Sequence, residues 1–219
     1  MAIWDDVIPS EDLKMFAKAK MGGTVLYGEK PAIIVVDMTY GFVDSAYPLG
    51  CSSMGWPTVR ANKRLLDKGR EADIPIFFTK CKKSNKPVER GRWKYQNKFE
   101  EKIFDPKEYQ IVQEIKPKIN EVVITKIFPS AFFGTNLVSM LVYHNVDVLI
   151  ITGMVTSGCI RATVVDGFSY NFPIIIPEEC VADRGAVSHK VSLFDMHMKY
   201  ADVIPLSNVI KYIDKCKNK

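Results

Sequence analysis

Cys159 follows Gly153-Met154-Val155-Thr156-Ser157-Gly158, a small-residue turn that leads into a predicted helix. A thiol at a helix N-terminus lies near free backbone amides and the positive end of the helix dipole, which favour the thiolate. Two other chemically useful groups close apolar runs: Asp37 after Ala32–Val36, and Lys126 after Val122–Thr125. Nucleophile, carboxylate and ammonium together suit attack on a carbonyl with assisted proton transfer. A neighbouring lysine is expected to lower the thiol pKa further. Each residue also has a plainer reading. The cysteine packs beneath a helix, the aspartate caps a turn, and the lysine lies at the surface. The coincidence of all three at strand ends favours the chemical reading, and Lys126, in an apolar context before Ile127-Phe128-Pro129, needs a partner.

The elements that must position these groups alternate. Ala32–Asp37, Ile74–Thr79, Val122–Lys126, Val148–Thr152, Ile174–Pro177 and Val203–Pro205 read as strands, several of them apolar on both faces. Between and after them, Val59–Ala72, Asn136–His144, Cys159–Tyr170, Ser188–Tyr200 and a last segment to about Lys215 read as helices. Ser10-Glu11-Asp12 starts an N-terminal helix that ends near Lys20. Strand–helix alternation predicts an α/β fold, with six parallel strands and right-handed crossovers. Functional groups in such a sheet gather beyond the C-terminal strand ends. The chain of 219 residues reads as one domain, residues 1–219, with a helical extension at about residues 1–30.

Composition narrows the function. A net charge of +5 without a basic, aromatic-interleaved stripe argues against nucleic-acid partners. No apolar run reaches the roughly 18 residues of a membrane span, and the N-terminus lacks signal-peptide character. Five cysteines, Cys51, Cys81, Cys159, Cys180 and Cys216, without a CxxC pair predict a reduced, cytoplasmic protein rather than a disulfide framework. His144, His189 and His197 avoid the predicted strand ends, and the last two share one helix as packing or surface residues. No HExxH or phosphate-loop motif is present, so neither metal nor cofactor is expected. The segment from Lys80 to Lys94 carries seven basic residues against Glu89. It reads as a solvated loop or as an electropositive lid for anionic substrates.

Several segments in order resemble the isochorismatase-like cysteine hydrolases, and within them the N-carbamoylsarcosine amidohydrolase branch. They are Ala32–Asp44, Val122–Leu137, Leu149–Phe172, Pro177–Arg184 and Leu193–Ile204. The resemblance implies a three-layer αβα, Rossmann-like fold with strand order 3-2-1-4-5-6. It makes Asp37, Lys126 and Cys159 a catalytic triad. It makes Val155-Thr156 a cis peptide whose Thr156 amide joins that of Cys159 in an oxyanion hole, and Arg184 the group that grips a substrate carboxylate. The implied activity is metal-independent cleavage of a small amide or ureido compound by a homo-oligomer, a dimer or tetramer. The nicotinamidase branch carries an Asp/His metal cluster after its second strand, which Phe77–Cys81 lacks. True isochorismatases lack the cysteine. The implied strand order also sets the strand of Lys126 two places from that of Asp37, so the lysine's long arm or a bent loop must close that gap.

Overall fold

The computed structural model describes residues 2–25, 27–82, 87–94 and 105–217. The first helix, α1 (Ser10–Lys18), has Glu11 and Asp12 in its opening turn, where acids complement the helix dipole. Strand β1 (Pro31–Val36) leads to a short helix α2 (Tyr40–Val43) and a long one, α3 (Ser52–Glu71). Strand β2 (Ile76–Cys81), the short α4 (Pro87–Arg90), β3 (Val122–Lys126) and α5 (Leu137–Tyr143) follow. The second half runs β4 (Val148–Met154), α6 (Arg161–Ser169), β5 (Ile174–Pro177), β6 (Val181–Ala182), α7 (Ala186–Lys199), β7 (Asp202–Ile204) and α8 (Leu206–Lys217).

The sheet order is β3-β2-β1-β4-β5-β7, all parallel, and β6 pairs with the C-terminal end of β4 at Gly153 and Met154. The six expected strands are present in the expected order, with the two-residue β6 as a seventh. Every residue of β1 and β4 is buried, because apolar side chains of both parities meet a helical layer. Ala32, Ile34, Val36, Leu149 and Ile151 pack with α5, α6, α7 and α1. Ile33, Val35, Val148 and Ile150 pack with α3 and α8. The result is the expected three-layer αβα arrangement.

Most boundaries shift by one or two residues, and three differences bear on the site. β2 begins two residues later and ends at Cys81. α3 begins at Ser52 and carries Pro57 within it, so its first turns extend well before Val59. The helix expected from Cys159 is preceded by a wide turn over Thr156–Ile160, in which the Ile160 amide donates to Val155 O at 3.2 Å. Such π-type turns recur at functional sites.

Candidate active site

β1, β2 and β3 end side by side, and their final residues supply most of the site's polar groups. Asp37 leaves β1 with φ of +52°, a backbone region that aspartate tolerates better than most residues. Its side chain is fully buried and fully bonded. The Thr79 hydroxyl donates to Oδ1 at 2.7 Å, and the Lys126 ammonium donates to Oδ2 at 2.6 Å. The Cys81 thiol lies 3.9 Å from the same Oδ2. Lys126 is buried as well. It also donates to Phe128 O at 3.2 Å, and its Nζ stands 3.6 Å from Cys159 Sγ. The lysine thus spans the gap created by the strand order, passing over Cys81, its register partner on β2.

Cys159 reaches this group from the far side of β1. β4 pairs with β1 through Val36↔Gly153. Gly153 adopts φ of +114°, and a Cβ there would fall 2.0 Å from Val36 O, so only glycine permits so close an approach. A cis peptide follows at Met154–Val155, one bond earlier than the expected Val155–Thr156. The turn beyond it is held by side chains. Asp183, buried just after β6, accepts from the Ser157 amide at 2.8 Å and the Ser157 hydroxyl at 2.6 Å. The Thr163 hydroxyl donates to Cys159 O at 2.7 Å and accepts from the Ala131 amide at 3.0 Å, tying α6 to the loop after β3. Thr156 and His189 are both buried, with Thr156 Oγ1 2.8 Å from His189 Nδ1.

The electrostatics overturn one expectation. Burial pushes the Cys159 thiol well above its ordinary pKa, the Asp37 charge adds to this, and Lys126 opposes it. The resting group is therefore a neutral thiol, not the stabilised thiolate expected from helix position and a nearby lysine. Burial also raises Cys81, with Asp37 adding, to about 12. For Lys126 burial opposes the charge, but Asp37 and the two thiols outweigh it and hold the ammonium above its usual range. Burial lowers His189, partly offset by Asp183, which keeps the imidazole neutral. An ion pair of Lys126 and Asp37 beside a protonated cysteine can pass one proton to the carboxylate and stabilise the sulfur anion that remains.

Of the other sequence candidates, Val155 and Thr156 begin the nucleophile turn. Gly158 and Ile160 donate their amides to Val155 O, and Ser157 donates to Asp183; the amides of Thr156 and Cys159 belong to neither set. Arg184 is exposed, and its guanidinium donates to Leu49 O through Nη2 at 2.8 Å and Nε at 3.3 Å. Asp183 accepts from the Arg184 backbone amide at 2.8 Å through Oδ1 and serves the Ser157 turn through Oδ2, while the guanidinium goes to Leu49 O. The basic segment from Lys80 to Lys94 lies partly outside the described residues; within them Lys82 pairs with Glu89 at 3.1 Å. His189 is a buried partner of Thr156 rather than a surface residue. Thr79, Asp183 and Thr163 went unnoticed as site residues, since single hydroxyls and a carboxylate carry no spacing signal. A groove of about 300 Å³, lined by Lys30, Asp73, His144 and Cys216, opens at the opposite end of the sheet, away from Asp37, Lys126 and Cys159. Among the described residues no group of three or more His, Cys, Asp or Glu is arranged to hold a metal. No described helix is long and apolar enough to cross a membrane.

Known proteins share both the sequence and the architecture. The chain is 33% identical to the N-carbamoylsarcosine amidase of an Arthrobacter species, over 86% of this chain and 73% of that one. It is 29% identical to the maleamate amidohydrolase of Pseudomonas putida, over 88% and 91% of the two chains. Among solved structures, N-carbamoylsarcosine amidase from Thermoplasma acidophilum superposes with a TM-score of 0.66 at 25% identity, covering 81% of this chain and 96% of that one. A cysteine hydrolase from Pseudomonas syringae shares the fold with a TM-score of 0.78 at 21% identity, covering 90% and 98%. The isochorismatase domain matches residues 31–207, the span that holds the sheet and the clustered strand ends, and the chain therefore belongs to the isochorismatase family.

Proposed function

We propose that the protein is a cysteine-dependent amidohydrolase acting on a small carboxylate that bears a ureido or amide group. The observation that carries this reading is one buried ammonium held 2.6 Å from a carboxylate and 3.6 Å from a thiol. The names of its relatives agree in chemistry: N-carbamoylsarcosine, maleamate and ureidoacrylate are all carboxylates with a cleavable C–N bond.

In this mechanism Asp37 accepts the Cys159 proton as sulfur attacks the carbonyl carbon, and Lys126 stabilises the thiolate in transit. The amides of Thr156 and Cys159 hold the developing oxyanion, a contribution of about 3–4 kcal/mol per donor in comparable sites. Asp37 returns its proton to the departing nitrogen, and ammonia leaves a thioester or thiocarbamate on Cys159. Asp37 then takes a proton from water, which attacks the acyl carbon, and the proton passes back to sulfur. For a ureido substrate R–NH–CO–NH2, the product carbamic acid loses carbon dioxide to leave R–NH2. Arg184 pairs with the substrate carboxylate, a contact for which a planar guanidinium is suited.

Ammonia release from a panel of ureido carboxylates, amide carboxylates and neutral amides tests the reading, with wild type and Cys159→Ala in parallel. Turnover of at least one carboxylate substrate, abolished in Cys159→Ala, is the expected result. Equal turnover by the variant contradicts it.

A further inference from the structure

We infer that Thr79 is a positioning residue of this site, whose hydroxyl fixes the rotation of Asp37 so that one carboxylate oxygen faces the nucleophile. The inference rests on the amidohydrolase reading above.

Asp37 is not set by regular strand geometry, because its backbone has turned to φ of +52°. Its side-chain χ2 is intrinsically broad and roughly two-fold, so an unrestrained carboxylate samples several orientations. Thr79 removes that freedom at two points. Its Oγ1 lies 3.2 Å from the Asp37 amide and 2.7 Å from Asp37 Oδ1. An amide N–H only donates and a carboxylate only accepts, so the hydroxyl proton is committed to Oδ1. With Oδ1 occupied, Oδ2 is the oxygen presented to the Lys126 ammonium at 2.6 Å and to the Cys81 thiol at 3.9 Å; the same ammonium stands 3.6 Å from Cys159 Sγ. Thr79 is fully buried, so water does not compete for this bond.

The placement follows from the sheet order. β2 lies between β1 and β3, so the reach of Lys126 to Asp37 passes over its end. Residues two apart share a strand face, and Thr79 and Cys81 accordingly address the two oxygens of Asp37 from the same side. Thr79 thus acts through Asp37, the partner of both its hydroxyl contacts.

Two substitutions separate hydroxyl from shape. Thr79→Val keeps the β-branched volume and loses the donor; Thr79→Ser keeps the donor and loses a methyl. The measurement is steady-state ammonia release with the best carboxylate substrate, together with the melting temperature. Thr79→Val should lose kcat by about tenfold or more with KM changed less than about twofold, and Thr79→Ser should stay within about threefold of wild type, as expected for a lost orientation of the base. Where Thr79→Val fails to fold, Thr79→Ser against Thr79→Ala reads the same hydroxyl, and serine should exceed alanine in kcat by a similar factor. Wild-type kcat in Thr79→Val, or an equal loss in Thr79→Ser, overturns the inference and leaves Thr79 a packing residue. Cys159→Ala distinguishes the two levels. If it retains activity, the amidohydrolase reading itself fails; if it is inactive while Thr79→Val is not, only the role of Thr79 fails.

Discussion

Replacing Lys126 with methionine removes a buried ammonium while keeping a long unbranched side chain. In the folded protein the Lys126 and Asp37 side chains are 1% and 0% exposed, and the pair is 2.6 Å apart. The variant strands the Asp37 carboxyl in the core with Thr79 and Cys81 as its remaining side-chain donors among the described residues. Removing one partner of a buried ion pair costs about 3–5 kcal/mol. For a chain of this size each kcal/mol moves the melting temperature by about 2–4 °C, so a fall of about 6–20 °C is expected. The cost arises from the stranded carboxylate, so Lys126→Met with Asp37→Asn should recover most of it, because two neutral groups replace a pair. The pH dependence has a definite sign. The folded-state pKa of Lys126 is raised, so its contribution is fully present below the unfolded value of about 10.4 and declines as pH climbs toward the higher folded value. The gap between wild type and Lys126→Met should therefore be constant from about pH 6 to 9 and narrow in strong alkali. Thermal unfolding followed by circular dichroism provides the assay. A fall under about 2 °C, or a double variant no more stable than Lys126→Met, would refute the reasoning.

Thiol labelling tests the resting protonation state. Burial and Asp37 hold Cys159 above its ordinary pKa, so iodoacetamide at pH 8 should label the half-exposed Cys51 and Cys216 first. Asp37→Asn removes a raising charge and leaves Lys126 in place, so Cys159 should label about tenfold faster in that variant while ammonia release is lost; equal or slower labelling argues against Asp37 as the controlling charge. Arg184→Ala should weaken kcat/KM for carboxylate substrates by about 10- to 150-fold, the value of one charge-assisted contact, and affect neutral amides little. An equal loss for both classes would assign Arg184 to holding Leu49 and its loop.

The reach of sequence reasoning depended on the length scale of each signal. Strands β1 and β4 were legible because both faces are buried, which writes a continuous apolar run. Asp37 and Lys126 stood out because each closes such a run at the end where parallel sheets place their chemistry, and Cys159 because it follows the small-residue turn beyond another. The expected helix Val59–Ala72 covers only the later turns of α3, whose first turns hold Gly55 and Pro57. Gly55 packs against the backbone of α2, where a Cβ would lie 2.7 Å from Val43 O, and Pro57 is accommodated inside the helix. The thiol's charge state was misjudged for a different reason. Helix position and a lysine are local or guessable, whereas burial and an aspartate brought alongside by strand pairing are tertiary facts. Thr79, Asp183 and His189 were missed on the same ground: their partners lie 42, 26 and 33 residues away in sequence and are fixed only by register and layer packing.

The central claim is that Cys159 carries the acyl group, and intact-protein mass spectrometry under rapid quench tests it most directly. Mixing wild type with a turned-over ureido or amide carboxylate should give a transient adduct. Its mass should equal the substrate less ammonia, and proteolysis should map it to the peptide containing Cys159. Cys159→Ala should show no adduct. Turnover with no adduct at any quench time, together with unimpaired turnover by Cys159→Ala, would contradict the account and reassign the chemistry to a directly activated water.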